Sequence, residues 1–321
     1  MKDLLAKIDT ALASLPLGKH PQNLYDPIRY ILSLGGKRLR PMLVLLGYGL
    51  KKDDPESVID PALTVEVFHN FTLMHDDIMD LAPIRRGKPT VHEKWNNTVA
   101  ILSGDTMMVK AYDQLLTGPK ESLASAIQKF NRCAVEVCEG QQLDMNFEEF
   151  ETVTEDQYIE MIRLKTAVLL GFSLEYGGLL SGMNEEQLTK LNEIGQKAGI
   201  GFQLMDDLLD VYGDKTKFGK QVGGDIVSNK KTYLLIKALE LANASQRKEL
   251  DGWLSASEFD ISEKVEAIKN IYEELGIFEL TQSKMNGYYD EAFTLLDELD
   301  ARAEGKQQLA DFFRKLMKRE R

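Results

Sequence analysis

Two cysteines in 321 residues, Cys133 and Cys138, are too few for a disulfide framework, and their spacing is neither a CxxC redox pair nor a zinc-ligand pair. They read as reduced residues of the core or its boundary in a cytosolic protein. Only nine prolines interrupt the chain, and no run alternates apolar and polar residues long enough to make a sheet. No stretch approaches the roughly 20 apolar residues of a membrane span. Residues 1–15 contain acidic side chains and no uninterrupted apolar run, which excludes a secretory signal or an anchor. Positive charge is also short, 39 Lys and Arg against 51 Asp and Glu, and the net −12 argues against nucleic acid as a partner. The phosphate-cradling GxxxxGK[ST] pattern is missing as well.

What is present favours helix. Hydrophobic residues make up 43% of the chain, enough for a large core, and Leu, Ala, Glu and Lys abound. Helices are expected at 3–15, 27–34, 41–50, 59–80, 98–116, 120–146, 155–180, 185–212 and 229–243, with more between 262 and 319. Pro16 to Pro21 breaks the first, Pro41 suits the first turn of the third, and Pro83 to Val91 forms a loop. Residues 213–228, with four glycines, make the longest irregular connection, a length that in compact domains usually serves function. The basic end, Lys315 to Arg321, reads as a solvated tail whose charges suit a helix C-terminus.

One five-residue pattern occurs twice, as Asp76-Asp77-Ile78-Met79-Asp80 and as Asp206-Asp207-Leu208-Leu209-Asp210, each within an apolar helical stretch. Residues i and i+4 share a helix face, so Asp76 pairs with Asp80 and Asp206 with Asp210, while Asp77 and Asp207 lie about 100° round. Like charges stacked in this way destabilise a helix. Doing so twice implies a cation, and oxygen ligands point to Mg²⁺ or Ca²⁺ over zinc, with Mn²⁺ not separable from Mg²⁺. Basic loops follow both patterns, in HDDIMDLAPIRRGK and MDDLLDVYGDKTKFGK. Carboxylates that bind metal, metal that binds phosphate oxygens, and Arg or Lys that neutralise the remaining charge together suit a diphosphate. Lys165, inside the apolar MIRLKTAVLL, needs a partner if buried. His69 precedes Asp76 by nearly two turns and returns to its face.

Five blocks in order make the chain resemble the all-trans isoprenyl diphosphate synthases of the polyprenyl synthetase family. They are Gly35-Gly36-Lys37-Arg38-Leu39-Arg40-Pro41; His69 to Asp80; Arg85-Arg86-Gly87 with His92; Gly104-Asp105; and Lys165-Thr166 with Gly201 to Asp210, Gly219-Lys220, Gly224-Asp225 and Lys230. The resemblance spans essentially the whole chain. It implies a single all-α domain, residues 1–321, an isoprenoid-synthase-like helical bundle around a central cavity with the aspartate motifs across its mouth. It also implies a homodimer.

The reaction so implied is the head-to-tail condensation of isopentenyl diphosphate with an allylic diphosphate: dimethylallyl, geranyl or farnesyl. Three Mg²⁺ ions would be held, two by Asp76 and Asp80 and a third by Asp206, with Asp77 and Asp210 completing the metal set. Lys37, Arg40, His69 and Arg86 would grip isopentenyl diphosphate, and Arg85, Lys165, Thr166, Gln203, Lys220 and Lys230 the allylic diphosphate. Asp76, Asp80, Lys165, Asp206 and Lys220 form the implied catalytic set. Product length in the family depends on bulk four and five residues before the first motif, here Thr72 and Phe71. One aromatic, a small neighbour and no insertion in the motif resemble archaeal geranylgeranyl diphosphate synthases. C20 is therefore the expected product, ahead of C15 and then longer chains. Helical geometry alone would not have chosen Phe71, which lies about 140° from Asp76.

Other readings fit less of the chain. Glu66-Val67-Phe68-His69 has the Glu-x-x-His spacing of a di-iron carboxylate bundle, but a second copy is missing. A phosphohydrolase built on His75-Asp76 has few histidines to draw on, four in all. A terpene cyclase has no use for the second cationic block at Lys37 or Arg85-Arg86. A non-catalytic subunit of a heteromeric synthase would be expected to have lost one aspartate motif, and this chain keeps both.

Overall fold

The computed structural model describes residues 1–213 and 223–318, which are mainly α-helical, with strand among them confined to one short hairpin. Its contacts fall into two compact units, the first made of Met1–Ala134, Leu169–Gly195 and Leu296–Ala310, the second of Val135–Val168, Gln196–Leu295 and Asp311–Arg321.

The first unit holds α1 (Lys2–Ala13), α2 (Gln22–Ser33), α3 (Leu39–Gly49), α4 (Ile59–Met79), α5 (Val91–Lys94) and α6 (Asn97–Leu115), with the start of α7 (Leu123–Glu149) and nearly all of α9 (Val168–Leu180). Helix α2 begins five residues earlier than expected and keeps Pro27 inside it. The ring costs one backbone hydrogen bond, and burial of Ile28, Ile31 and Leu32 on one face offsets it. Helix α4 is the centre of this unit: residues 61–68 are buried on every side, the mark of a core helix. After that only Asn70, Met74 and Asp77 stay buried, a single stripe at i, i+4 and i+7. His69, Thr72, Asp76 and Asp80 therefore emerge together on another side. Aromatic rings prop the helix, Phe68 at 5.2 Å from Phe130, Phe130 at 5.6 Å from Phe172, and Phe172 at 5.4 Å from Tyr176.

The expected loop after α4 contains a two-residue antiparallel hairpin, Ile84–Arg85 against Lys88–Pro89. Both residues at its turn have positive φ, Arg86 at 53° and Gly87 at 73°, as a tight two-residue hairpin turn requires.

The second unit contains the rest of α7, α8 (Glu155–Ile162), a π-helical turn (Arg163–Ala167), most of α10 (Glu185–Tyr212), α11 (Gly224–Val227), α12 (Tyr233–Leu241), α13 (Ala244–Ser255), α14 (Ile261–Glu274), nearly all of α15 (Ile277–Glu298) and the end of α16 (Ala303–Met317). Leu208 and Val211 anchor α10 in a core with Ile226, Leu234, Ala238, Leu250, Ile268, Ile271 and Tyr272. Asp206 and Asp210, on another side of α10, are left partly exposed.

Three further features depart from the expected helix pattern. The helix expected over 155–180 widens at Arg163–Ala167 into a π turn. Helix α13 was not anticipated, although Asn243 and Gln246 form a capping box at its start. Within the connection expected at 213–228, Gly224–Val227 makes one helical turn. Among the described residues Cys133 and Cys138 are both free thiols, one buried and one exposed. No helix of the described residues is long and apolar enough to cross a membrane.

Candidate active site

The two aspartate motifs share one division of labour. In each, the first and fifth aspartates keep access to solvent while the second is buried, Asp77 at 2% and Asp207 at 4% exposed. Asp77, expected among the metal ligands, turns instead into its unit. Arg85 Nε donates to both of its oxygens at 2.9 Å and Nη2 approaches Oδ1 at 2.8 Å. Burial raises the Asp77 carboxyl above its ordinary range, and Arg85 opposes that shift. Arg85, expected on the allylic diphosphate, is thus held by Asp77 and lies 3.7 Å from Asp76 Oδ2.

Asp207 is held likewise. Tyr158 donates its hydroxyl to Oδ2, and Gln203 Nε2 donates to Oδ1 at 3.1 Å. Thr166 continues the chain, its hydroxyl 3.3 Å from Gln203 Oε1. Thr166 and Gln203, both expected to touch the allylic diphosphate, are thereby joined into a brace for Asp207. Burial, then the charge of Asp225, pushes the Asp207 carboxyl up to about 7, and Tyr158 and Gln203 restrain the shift. Asp210 Oδ2 accepts from the backbone N–H of Asp225 at 2.9 Å, and the Asp210 carbonyl accepts from Gly223 N at 2.7 Å. Asp210 thus also fastens the first turn of α11.

These carboxylates fit a hard divalent cation. Asp76 and Asp80 close the C-terminal end of α4, and Asp206 and Asp210 lie in the last two turns of α10. The helix dipole is negative at those ends, so each motif stacks anions where they are least favoured without a cation. Among the described residues no group of three or more His, Cys, Asp and Glu forms a closed cage. Mg²⁺ does not need one, since it is usually bound through one or two carboxylates, retained water and substrate phosphate.

A cationic cluster lies in the first unit. Gly36 has φ 151°, and a Cβ there would sit 3.1 Å from Arg86 Nη2 and 3.3 Å from Arg38 Nη1, so the absence of a side chain lets two guanidinium groups converge. Arg86 donates to the Gly35 carbonyl. Arg38, left-handed at φ 49°, is buried and ion-paired with Glu66 at 2.6 Å and Asp9 at 2.8 Å. Its fixed position starts α3, which carries Arg40 in its first turn. Burial, then the charges of Arg40, Arg86, Arg85 and Arg38, drives the His69 imidazole well below its ordinary pKa, so it is neutral at pH 7. The expected isopentenyl diphosphate residues Arg40, His69 and Arg86 thus share one electropositive region; Lys37 lies on the segment that Gly36 and Arg38 shape.

Phe71 stands on α4 with its ring 4.8 Å from the His75 ring and 5.6 Å from that of Phe68. His75 Nε2 is 3.1 Å from the Ile101 carbonyl of α6. Thr72 donates its hydroxyl to the His69 carbonyl at 2.8 Å.

Lys165 lies in the π turn, and its Nζ is 2.6 Å from Asp144 Oδ2 on α7. Lys230 approaches the same oxygen at 3.6 Å. Lys220 and Gly219 lie outside the described residues. The residue patterns do not single out Asp144 or Tyr158, and they offer Glu66 only in a Glu-x-x-His spacing, not as the partner of Arg38. The only signal for the first was that Lys165, in an apolar helix, called for a buried anion.

Residues 21–275 match the family model described as polyprenyl synthetase. A short chain isoprenyl diphosphate synthase of Methanocaldococcus jannaschii is 40% identical over 272 residues, 84% of this chain and 82% of that protein. A geranylgeranyl pyrophosphate synthase of Geoglobus acetivorans is 43% identical over 242 residues, 75% of this chain and 76% of that protein. A crystal structure of a geranylgeranyl pyrophosphate synthase superposes with a TM-score of 0.95 at 42% identity, covering 100% of this chain and 99% of the other. The chain belongs to the polyprenyl synthetase family.

Proposed function

We propose that this prenyltransferase condenses isopentenyl diphosphate head-to-tail with dimethylallyl, geranyl or farnesyl diphosphate and releases chiefly geranylgeranyl diphosphate. The observation that carries this reading is the shared plan of the two aspartate motifs, outer carboxylates accessible at a helix C-terminus and the inner one tied inward. Asp76, Asp80 and Asp206 would hold Mg²⁺, three ions with the allylic diphosphate bound. Those ions supply positive charge that stabilises the departing diphosphate.

Lys165, Lys230, Lys220 and Arg85 would neutralise the remaining charge of the allylic diphosphate. Lys37, Arg40, Arg86 and the neutral His69 orient isopentenyl diphosphate, the guanidinium groups offering forked donors to its phosphate oxygens. The allylic C–O bond breaks and its electron pair leaves with diphosphate. The double bond of isopentenyl diphosphate then attacks the allylic carbocation, and a proton lost to the departing diphosphate completes the new prenyl unit. Orienting two diphosphates so that the reacting carbons meet is the main task of these residues.

Phe71, braced between Phe68 and His75, forms the floor that stops growth at C20. The protein acts as a homodimer. Leu102, Val109 and Leu116, spaced by seven on and just after α6, form an exposed apolar stripe, 57%, 61% and 54% accessible, that suits a second copy.

The test is extracted-product analysis of purified protein with Mg²⁺, labelled isopentenyl diphosphate and each allylic primer in separate reactions. A C20 diphosphate from all three supports the reading. A C15 or C25 end product keeps the reaction and moves the floor, and no condensation with any primer overturns it.

A further inference from the structure

We infer that Asp144 is a positioning residue for the allylic diphosphate: one carboxylate on α7 that anchors the ammonium groups of Lys165 and Lys230, so that both meet the substrate in fixed places. The inference rests on the proposed prenyltransferase reaction and adds to it a residue that touches neither substrate nor metal.

Both ammonium groups approach the same atom, Asp144 Oδ2, at 2.6 Å from Lys165 and 3.6 Å from Lys230. Side-chain exposure rises outward from that anchor, 14% for Asp144, 22% for Lys165 and 43% for Lys230. The anion lies beneath and the cations above it, an arrangement that presents two donors to an anion with well-separated oxygens. Lysine is a flexible point charge on a four-carbon stem, and two neighbouring ammonium groups repel, so each needs a restraint to keep one orientation. Asp144 restrains both. Burial raises its carboxyl, the charges of Lys230 and Lys165 lower it, and the balance falls below the ordinary carboxylate range, so it stays ionised at neutral pH.

The backbone around the anchor is built to the same end. Gly140, four residues before Asp144 and on its face of α7, packs directly on the π turn: a Cβ there would lie 2.1 Å from Lys165 N and 2.6 Å from the Leu164 carbonyl carbon. No side chain fits between α7 and the turn that carries Lys165. π turns inside helices occur frequently at functional sites, where the wider turn re-aims side chains. On the other side Lys231 donates to the Phe147 carbonyl at 2.7 Å and the Glu148 carbonyl at 3.3 Å, at the end of α7. Lys230 N is bonded to the Asp225 carbonyl at 2.9 Å. The segment that presents Lys230 is thereby pinned to the helix that carries Asp144.

Steady-state kinetics on the full-length protein with Mg²⁺ test the inference. Asp144→Asn, which keeps the shape and removes the charge, is expected to lower kcat/KM for the allylic substrate about 10- to 100-fold, the usual cost of losing a group that orients another. KM for isopentenyl diphosphate should stay within about two-fold of wild type. In a Lys165→Ala, Lys230→Ala background the same substitution should cost less than about two-fold, because nothing remains for Asp144 to position. Asp144→Glu, which retains the charge, should fold even where Asp144→Asn does not and recover part of the activity. An equal loss in both backgrounds, or a parallel rise in both KM values, would overturn the inference and leave Asp144 a structural or directly acting residue. So would an unchanged kcat/KM in Asp144→Asn. A wild-type protein without condensing activity would instead sink the proposed reaction itself, before the variant is made.

Discussion

Asp77 meets Arg85 with both carboxylate oxygens, each 2.9 Å from Nε, one helical position from Asp76, which stays partly exposed. Adjacent aspartates of one motif are thus set to different tasks by 100° of helix rotation. Their amide variants should separate. Asp76→Asn is expected to lower kcat about 10³-fold or more, as loss of an electrostatic centre does, and to change stability by less than about 1 kcal/mol, because relief of the like-charge stack offsets the lost approach to Arg85. Asp77→Asn should cost about 1–3 kcal/mol of unfolding free energy, since it uncouples the partly buried Arg85. Urea denaturation and single-turnover kinetics on both variants provide the check, and the same pattern in the two would refute the division.

The first unit's α6 stripe leads to a prediction about assembly. A Leu102→Glu, Val109→Glu double variant places charges on residues 57% and 61% exposed, so the fold itself should lose less than about 1 kcal/mol. Sedimentation velocity should show wild-type protein at twice the mass of the chain and the double variant at the mass of the chain. A wild-type species of single mass would remove the stripe as an interface.

Helix α8 opens with Glu155, which pairs with Lys284 at 2.8 Å and Lys237 at 3.2 Å. Burial raises its pKa, the two ammonium groups lower it, and the net value lies below the ordinary 4.5. A carboxylate whose folded pKa is depressed stabilises the fold above its unfolded pKa and loses that contribution as pH falls through the folded value. Glu155→Gln should therefore lower stability by about 0.5–1 kcal/mol at pH 7 and by progressively less as pH drops below about 4.5. Denaturant midpoints measured from pH 7 to pH 3 would show the two curves converging. Curves that stay parallel would mean the pair contributes through packing alone.

How much of this was legible depended on the range of the interaction. The outward stripe of α4, His69 with Asp76 and Asp80, followed from helical period and apolar content, both local properties. So did the outward face of α10. The inner aspartates could be placed 100° away but not given partners, because Tyr158 lies 49 positions from Asp207. Asp144 was hidden for the same reason: it is one of several acidic residues on α7, and Lys230 is remote in sequence. The π turn left no mark in MIRLKTAVLL, since it arises where Gly140 of another helix presses on that backbone. The short α13 was missed for its weak apolar stripe, only Leu250 being buried, although the Asn243 and Gln246 cap was there to be read.

Phe71 is the residue on which helical geometry and the family resemblance disagreed, one setting it away from Asp76, the other making it the floor of the product. The structure gives it a column of its own on α4, with Phe68 below and His75 above. His75 is in turn held at the Ile101 carbonyl, and a Cβ on Gly104 would lie 2.2 Å from its Nε2, so the imidazole has little room to move. A ring locked between two others blocks a growing prenyl chain more firmly than a lone side chain that can change rotamer. Phe71→Ala should lengthen the end product by one or more isoprene units. Because Phe71 is only partly buried, it should cost less than the roughly 3–5 kcal/mol of a core Phe→Ala change. Gly104→Ala should act through His75 and shift the product in the same direction, more weakly. Chromatography of dephosphorylated products resolves the outcome: longer chains from both variants would establish the column as the floor, and an unchanged distribution from Phe71→Ala would return the ring to simple packing.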